Sequence, residues 1–215
     1  MKLVIQLVLW VVIIFLGYLV FNAVYEPIQF NKLKEKRYAK VIERLQDIRA
    51  AQLAHQEVTG RYAKDFDGLI RFVDTAEFVV VQRRDTTVMD EEYRKAYGVD
   101  RQMDIVLIDT LGYASVKDSL FKNDRYKQMR KVPIDGVDAE FEMDAGTIVK
   151  NDNTFPVFEV KVNKSVILHD QDKDLVMQEK QVMSVDGVNG EFLRVGSMEE
   201  VNTTGNWPQL YGAIE

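Results

Sequence analysis

Residues 3–25 read LVIQLVLWVVIIFLGYLVFNAVY, a run with no charged side chain between Lys2 and Glu26. At about 1.5 Å per residue it makes a helix of roughly 34 Å, longer than a hydrocarbon core of about 30 Å. A helix satisfies its own backbone polar groups in lipid, so the run predicts a membrane anchor. Its length exceeds the roughly 7–15 apolar residues of a cleaved signal, and its exit from Val20 to Tyr25 lacks a small-x-small site. The expectation is an uncleaved signal-anchor of a single-pass protein in contact with membrane lipid, with neither of the sequence boxes that direct lipidation. Gln6, Tyr18 and Asn22 are polar, and Gln6 is the one suited to meet a partner helix within the bilayer. Tyr25 stands where an interfacial aromatic belt would fall.

Beyond the anchor lie about 190 residues, enough for one domain or two small ones. Net charge is −6 with both signs interspersed. The concentrated basic face of a nucleic-acid binder is missing, so no nucleic acid is expected as a partner. The chain has no cysteine, which excludes disulfides, thiol catalysis and cysteine metal sites. Only Lys2 precedes the span, whereas Lys32, Lys34, Lys36, Arg37 and Lys40 lie after it. That imbalance, counted naively, places the soluble domain in the cytoplasm. Against it, Glu26 to Asn31 are neutral or acidic, and large domains translocate largely regardless of charge.

Pro27 is expected to kink or interrupt the helix. From there Tyr38, Val41, Leu45 and Ile48 recur at steps of three and four, the stripe of an amphipathic helix ending at Thr59-Gly60. The chain thus divides into an anchor over 1–25, a juxtamembrane amphipathic helix over 26–58, and a soluble domain over 59–215 with a subdivision point near 131. Within the soluble part, Phe66 to Phe72 predicts a short helix capped by Asp65, and Met89 to Tyr97 another, stopped by Gly98. Phe78 to Val81 and Ile105 to Ile108 predict strands, and Arg83-Arg84 closes the first of them. The last third reads as β throughout, from the alternation at Ala139–Met143 and Val157–Val162, with Val166 to Leu168 a short buried run. Asp135-Gly136, Ala145-Gly146, Asn151-Asp152-Asn153 and Asp186-Gly187 are turn signals. The fold class expected is therefore α+β, with a mainly antiparallel sheet after the helices.

Val41 to Ala63 resembles the exit of the long N-terminal helix in type IV pilins and type II secretion pseudopilins. The positions that carry the likeness are Ile48, Ala51, Gly60 and Tyr62, and it covers residues 1–72. The resemblance implies a structural or assembly subunit with its head in the periplasm, anchored in the inner membrane. Two departures stand against ordinary filament assembly: no Gly precedes the span, and Gln6 replaces the acidic residue of that family. The whole chain is also similar to single-span envelope proteins of Bacteroidota, which implies the same side of the membrane and no activity.

The stripe Tyr38, Val41, Leu45 and Ile48 has two readings: contact with a partner helix, or packing on the chain's own sheet. Asp170, Asp172 and Asp174 have the 1-3-5 spacing of a calcium loop and are the candidate Ca²⁺ ligands. The match fails at Leu175, where glycine belongs, and at Gln181, where glutamate belongs. A solvated acidic turn is the plainer reading, and no cofactor is expected. His55 and His169 lack an orienting partner in the sequence, so each reads as structural. Trp207 and Tyr211 are expected to pack back onto the domain, with an exposed partner anchor as the alternative. The function expected is a non-enzymatic assembly subunit of a cell-envelope complex, binding other envelope proteins or itself. The alternative is a membrane-tethered enzyme or ligand-binding domain.

Overall fold

The protein is described by a computed structural model covering residues 2–208 and Tyr211. One helix, α1 (Lys2–Thr59), runs from the apolar stretch into the head without a break. The expected interruption is not found: Pro27 lies inside the helix. Proline there removes one donor and crowds the carbonyl one turn back. At about 1.5 Å per residue α1 is roughly 87 Å long. It stops at Gly60, whose φ of +77° lets its N–H return to the Gln56 carbonyl at 2.8 Å.

The head is built on the distal half of α1. Helix α2 (Phe66–Thr75) starts where Asp65 accepts the Gly68 N–H at 2.6 Å. Strands β1 (Glu77–Met89) and β2 (Gln102–Ser115) form an antiparallel two-stranded ribbon with α3 (Glu91–Tyr97) at its far end. Gly98 ends α3 with a φ of +70°. A short α4 (Val116–Leu120) and a 3₁₀ turn (Asp124–Gln128) lead to the second sheet. That sheet orders β3 (Glu142–Lys150), β4 (Asn153–Asn163) and β5 (Phe192–Gly196) as β3-β4-β5, all antiparallel.

Asn151 and Asp152, both at positive φ, close the β3–β4 hairpin, as their residue types predict. Ala145-Gly146 is not a turn: it sits within β3, opposite Phe158 and Val157. Smallness there serves packing, since a Cβ on Gly146 meets the Met198 methyl at 3.2 Å. The last third is also not all β. Helices α5 (Lys164–Ile167) and α6 (Lys173–Lys180) interrupt it, because Asn163 and Asp172 accept their first backbone N–H groups and cap them.

One core joins α1 to the head. Tyr38, Val41, Leu45, Ile48 and Ala51 of α1 are fully buried with Leu69, Val116, Phe158, Val160, Ile167 and Leu193. The Gln52 amide, also buried, donates to the Ala63 carbonyl and accepts the Ala63 N–H, both at 2.9 Å. Burying a Val- or Leu-sized side chain contributes about 1.5–3 kcal/mol, so Tyr38, Val41, Leu45 and Ile48 on one helix face hold the head to its stem.

Candidate interaction surface

The stripe that suggested a partner helix is already occupied. Tyr38, Val41, Leu45 and Ile48 have no exposed surface, so in this fold they contact the chain's own head and cannot present to a neighbour. Of the two readings, packing on its own domain is the one found.

The acidic cluster is likewise taken apart by local tasks. Asp170 receives two hydrogen bonds from Arg37, at 2.6 and 2.8 Å. Asp172 caps α6 by accepting the Asp174 and Leu175 N–H groups. Asp174 stands in the first turn of α6, where a negative charge suits the helix dipole. The three carboxylates thus do not converge as the calcium spacing requires. Among the described residues, no group of three His, Asp or Glu side chains gathers in metal-binding geometry.

His55 sits near the end of α1 with its ring 4.7 Å from that of Phe72 and Nδ1 2.6 Å from the Arg61 carbonyl. His169 stands by Gly136. In the tail, Trp207 and Tyr211 pack against the core, and the Tyr211 ring lies 6.3 Å from that of Tyr38. Gln209, Leu210 and Gly212 fall outside the described residues. A polar depression of about 400 Å³ between β4, β5 and the turn after β5 is lined by Glu159, Lys161 and Arg194. Its cations are spoken for, since Lys161 and Arg194 both reach Glu159, at 3.1 and 3.2 Å.

A charged joint that the sequence did not announce connects stem and head. Lys164 is completely buried, and its Nζ donates to the carbonyls of Glu179 and Val188, both at 2.7 Å. It also lies 3.3 Å from the Glu179 carboxylate, which accepts from Lys34 at 2.9 Å and from the Tyr38 hydroxyl at 3.2 Å. Burial pushes the Lys164 ammonium below its usual range, and Glu179 opposes that shift. Burial, then the adjacent Glu179 charge, pushes the Tyr38 phenol far above its usual range. Farther along α1, Arg37 holds the Asp170 carboxyl well below the usual carboxylate range. The cue was present in the spacing of Lys34, Arg37 and Tyr38 on one face, but the acids they meet lie more than 130 residues away.

What the head leaves uncovered is the β1–β2 ribbon. At about 3.3 Å per residue its strands extend roughly 43 Å. The ribbon is rooted by the Val116 N–H on the Ala76 carbonyl, and its far end is closed by the Asp90 N–H on the Arg101 carbonyl. A bulge between Val80 and Val81 leaves Leu111 without an opposite residue. Arg83 and Arg84 lie in the middle of β1 rather than at its close, opposite Ile108 and Leu107. Side chains of opposed residues share a face, so Val106 and Ile108 sit with Arg83 and Asp85, and Ile105 and Leu107 sit on the other side. Strand β2 is thus apolar on both faces, the pattern of a strand buried inside a sheet. Yet Ile108 is 66 % exposed, Val106, Leu107, Leu111 and Tyr113 are also open, and no described segment pairs with either outer edge.

Comparison of the chain with protein families, with curated proteins and with solved structures finds no match.

Proposed function

We propose that this chain is a non-enzymatic, single-pass assembly subunit of a cell-envelope complex, whose ribbon pairs edge to edge with a second copy in the same membrane. The carrying observation is β2: an apolar strand, Ile105-Val-Leu-Ile108, with an open edge and exposed side chains on both faces. Open edges are templates for another strand, and proteins that remain solitary blunt or cover them. Two tethered copies share one surface and meet at a raised effective concentration. An isologous antiparallel pair of β2 strands covers the apolar run of each with that of the other. Pairing centred between Val106 and Leu107 sets Asp104 against Asp109 of the copy, a like-charge opposition; centring on Val106 or on Leu107 avoids it.

Among the described residues, one helix is long and apolar enough to cross a membrane, at the N-terminus. The resemblance to pilins and pseudopilins supports the inner membrane and a periplasmic head. The joint supports the same side: Lys34, Arg37 and Lys40 meet Glu179, Asp170 and Asp135, which gives those flanking charges a structural reason to be present. A non-enzymatic reading is supported by Lys164 and Glu179, whose charges are turned inward onto each other and away from any substrate.

The test is the mass of the full chain in detergent, by light scattering. The wild type is expected as a dimer, and the doubly substituted Val106→Lys/Leu107→Lys chain, which sets like charges at the two-fold, as a monomer. A monomeric wild type, or a dimer that survives the lysines, overturns the proposal.

A further inference from the structure

Moving along α1 from the apolar run, Phe30 is the first described side chain that the head buries, five residues past Tyr25. Among the described residues, the first hydrogen bond from α1 to the head is that of Lys34 to Glu179. Lys34 lies about 14 Å along the axis from Tyr25, so Glu179 and the chain just beyond it form the anchor-side rim of the head. From Asp170, held by Arg37, to Glu179, held by Lys34, the chain steps toward the anchor, and it leaves α6 in that direction as a loop, Gln181 to Glu191, before β5. This loop is pinned rather than loose. Lys164 donates to its Val188 carbonyl, the Gly190 N–H reaches the Val182 carbonyl at 3.3 Å, and Asn189 accepts the Ser184 N–H at 2.7 Å.

Two apolar side chains stand out from the protein on this pinned loop. Met183 is 95 % exposed and Val185 92 %, more than the described large apolar side chains of the apolar run, where Leu3 reaches 80 %. Scattered exposed hydrophobes are ordinary, but two so close together on a fixed loop at the anchor side have an apolar medium within reach. No charged residue interrupts Gln181 to Val185. The polar headgroup layer adds about 5–8 Å to each side of the hydrocarbon core, so the loop needs to cover only part of the roughly 14 Å between the levels of Lys34 and Tyr25. Interfacial segments sink about 5–10 Å into the boundary between headgroups and acyl chains.

We infer that Met183 and Val185 sit in the interfacial layer of the bilayer that holds α1. The head therefore stands on the membrane at two points, the helix and the loop. The inference rests on the membrane reading of α1.

Because the chain has no cysteine, a single thiol-reactive fluorophore can be placed at Met183→Cys, with Val58→Cys at the far end of α1 as the aqueous reference. The full chain is reconstituted into phosphatidylcholine–phosphatidylglycerol vesicles and floated on a density gradient. The expected result is flotation of both, with the Met183 label blue-shifted and severalfold less accessible to iodide than the Val58 label. Flotation with equal iodide quenching at the two positions overturns the loop inference alone. Failure to float overturns the membrane reading and the inference with it.

Discussion

Arg37 of the stem and Asp170 of the head face each other through two parallel hydrogen bonds, at 2.6 and 2.8 Å, and Arg37 also donates to the Ile167 carbonyl at 2.9 Å. Paired charge-assisted bonds of this geometry fix direction as well as distance. With Lys34–Glu179 one turn earlier, they set how far from the apolar run the head begins.

The pair gives the joint a pH dependence whose sign comes from the Asp170 carboxyl. Its pKa in the fold is depressed, chiefly by the Arg37 hydrogen bond, below the unfolded value of about 4. Such a group stabilises the fold above the unfolded pKa and loses that contribution as pH falls. Asp170 is half-exposed, so Asp170→Asn should cost about 1 kcal/mol or less at pH 7. Chemical denaturation at pH 7 and pH 3 checks this: the gap between wild type and variant should narrow at the lower pH, and a gap that widens contradicts it.

Lys164→Met should be far more damaging. Removing one member of a buried ion pair costs about 3–5 kcal/mol, and here two carbonyls lose their donor as well. Lys34 and Tyr38 still hold the Glu179 carboxylate, which places the expected loss at about 3 kcal/mol, the low end of that range. Urea unfolding followed by tyrosine and tryptophan fluorescence reads it out. A loss under about 1 kcal/mol, the value of an exposed pair, shows that the joint is solvated.

The stripe on α1 serves the chain's own core, so Leu45→Ala should cost about 2–5 kcal/mol, whatever the protein concentration. A cysteine placed at Leu45 should resist maleimide in the folded chain and should give no inter-subunit disulfide. A crosslinked dimer through position 45 shows that a neighbouring helix reaches the stripe.

Asp172 acts as a helix cap. Asp172→Ala should cost about 1 kcal/mol, equally with and without calcium. Calorimetric titration with Ca²⁺ should give no binding heat in either form. A saturable heat that disappears in the variant restores the cation site.

Helices α1, α2 and α3 were legible because their signals are local. The Asp65 cap, the Gly60 and Gly98 stops and the apolar periodicity from Tyr38 to Ile48 each depend on residues a few positions apart. An interruption at Pro27 was not to be read from sequence alone, because a proline states what its own residue loses, not whether a long helix on both sides can carry that loss. Ala145-Gly146 misled because a small residue packed closely under the Met198 methyl looks the same in sequence as one required by a turn. The strands at Phe78–Val81 and Ile105–Ile108 were visible, but β-branched runs imply burial, and their exposure on a ribbon depends on whether another layer covers them. Lys164 was invisible as a core residue, because nothing near it in the chain names Glu179 and Val188 as its partners.

Edge-to-edge pairing of two copies turns on what meets the outer edge of β2. In an antiparallel pair, residues at the two-fold have Cα atoms about 4.5–5.5 Å apart, within the span a disulfide bridges. Single cysteines at Val106 and at Leu107, oxidised with copper phenanthroline in membranes carrying the full chain, measure that approach. A reducible homodimer is expected through one of these two positions, and none through a cysteine at Val149, exposed near the β3–β4 turn. Monomer at both β2 positions, under conditions that oxidise the free thiols, rules the pairing out.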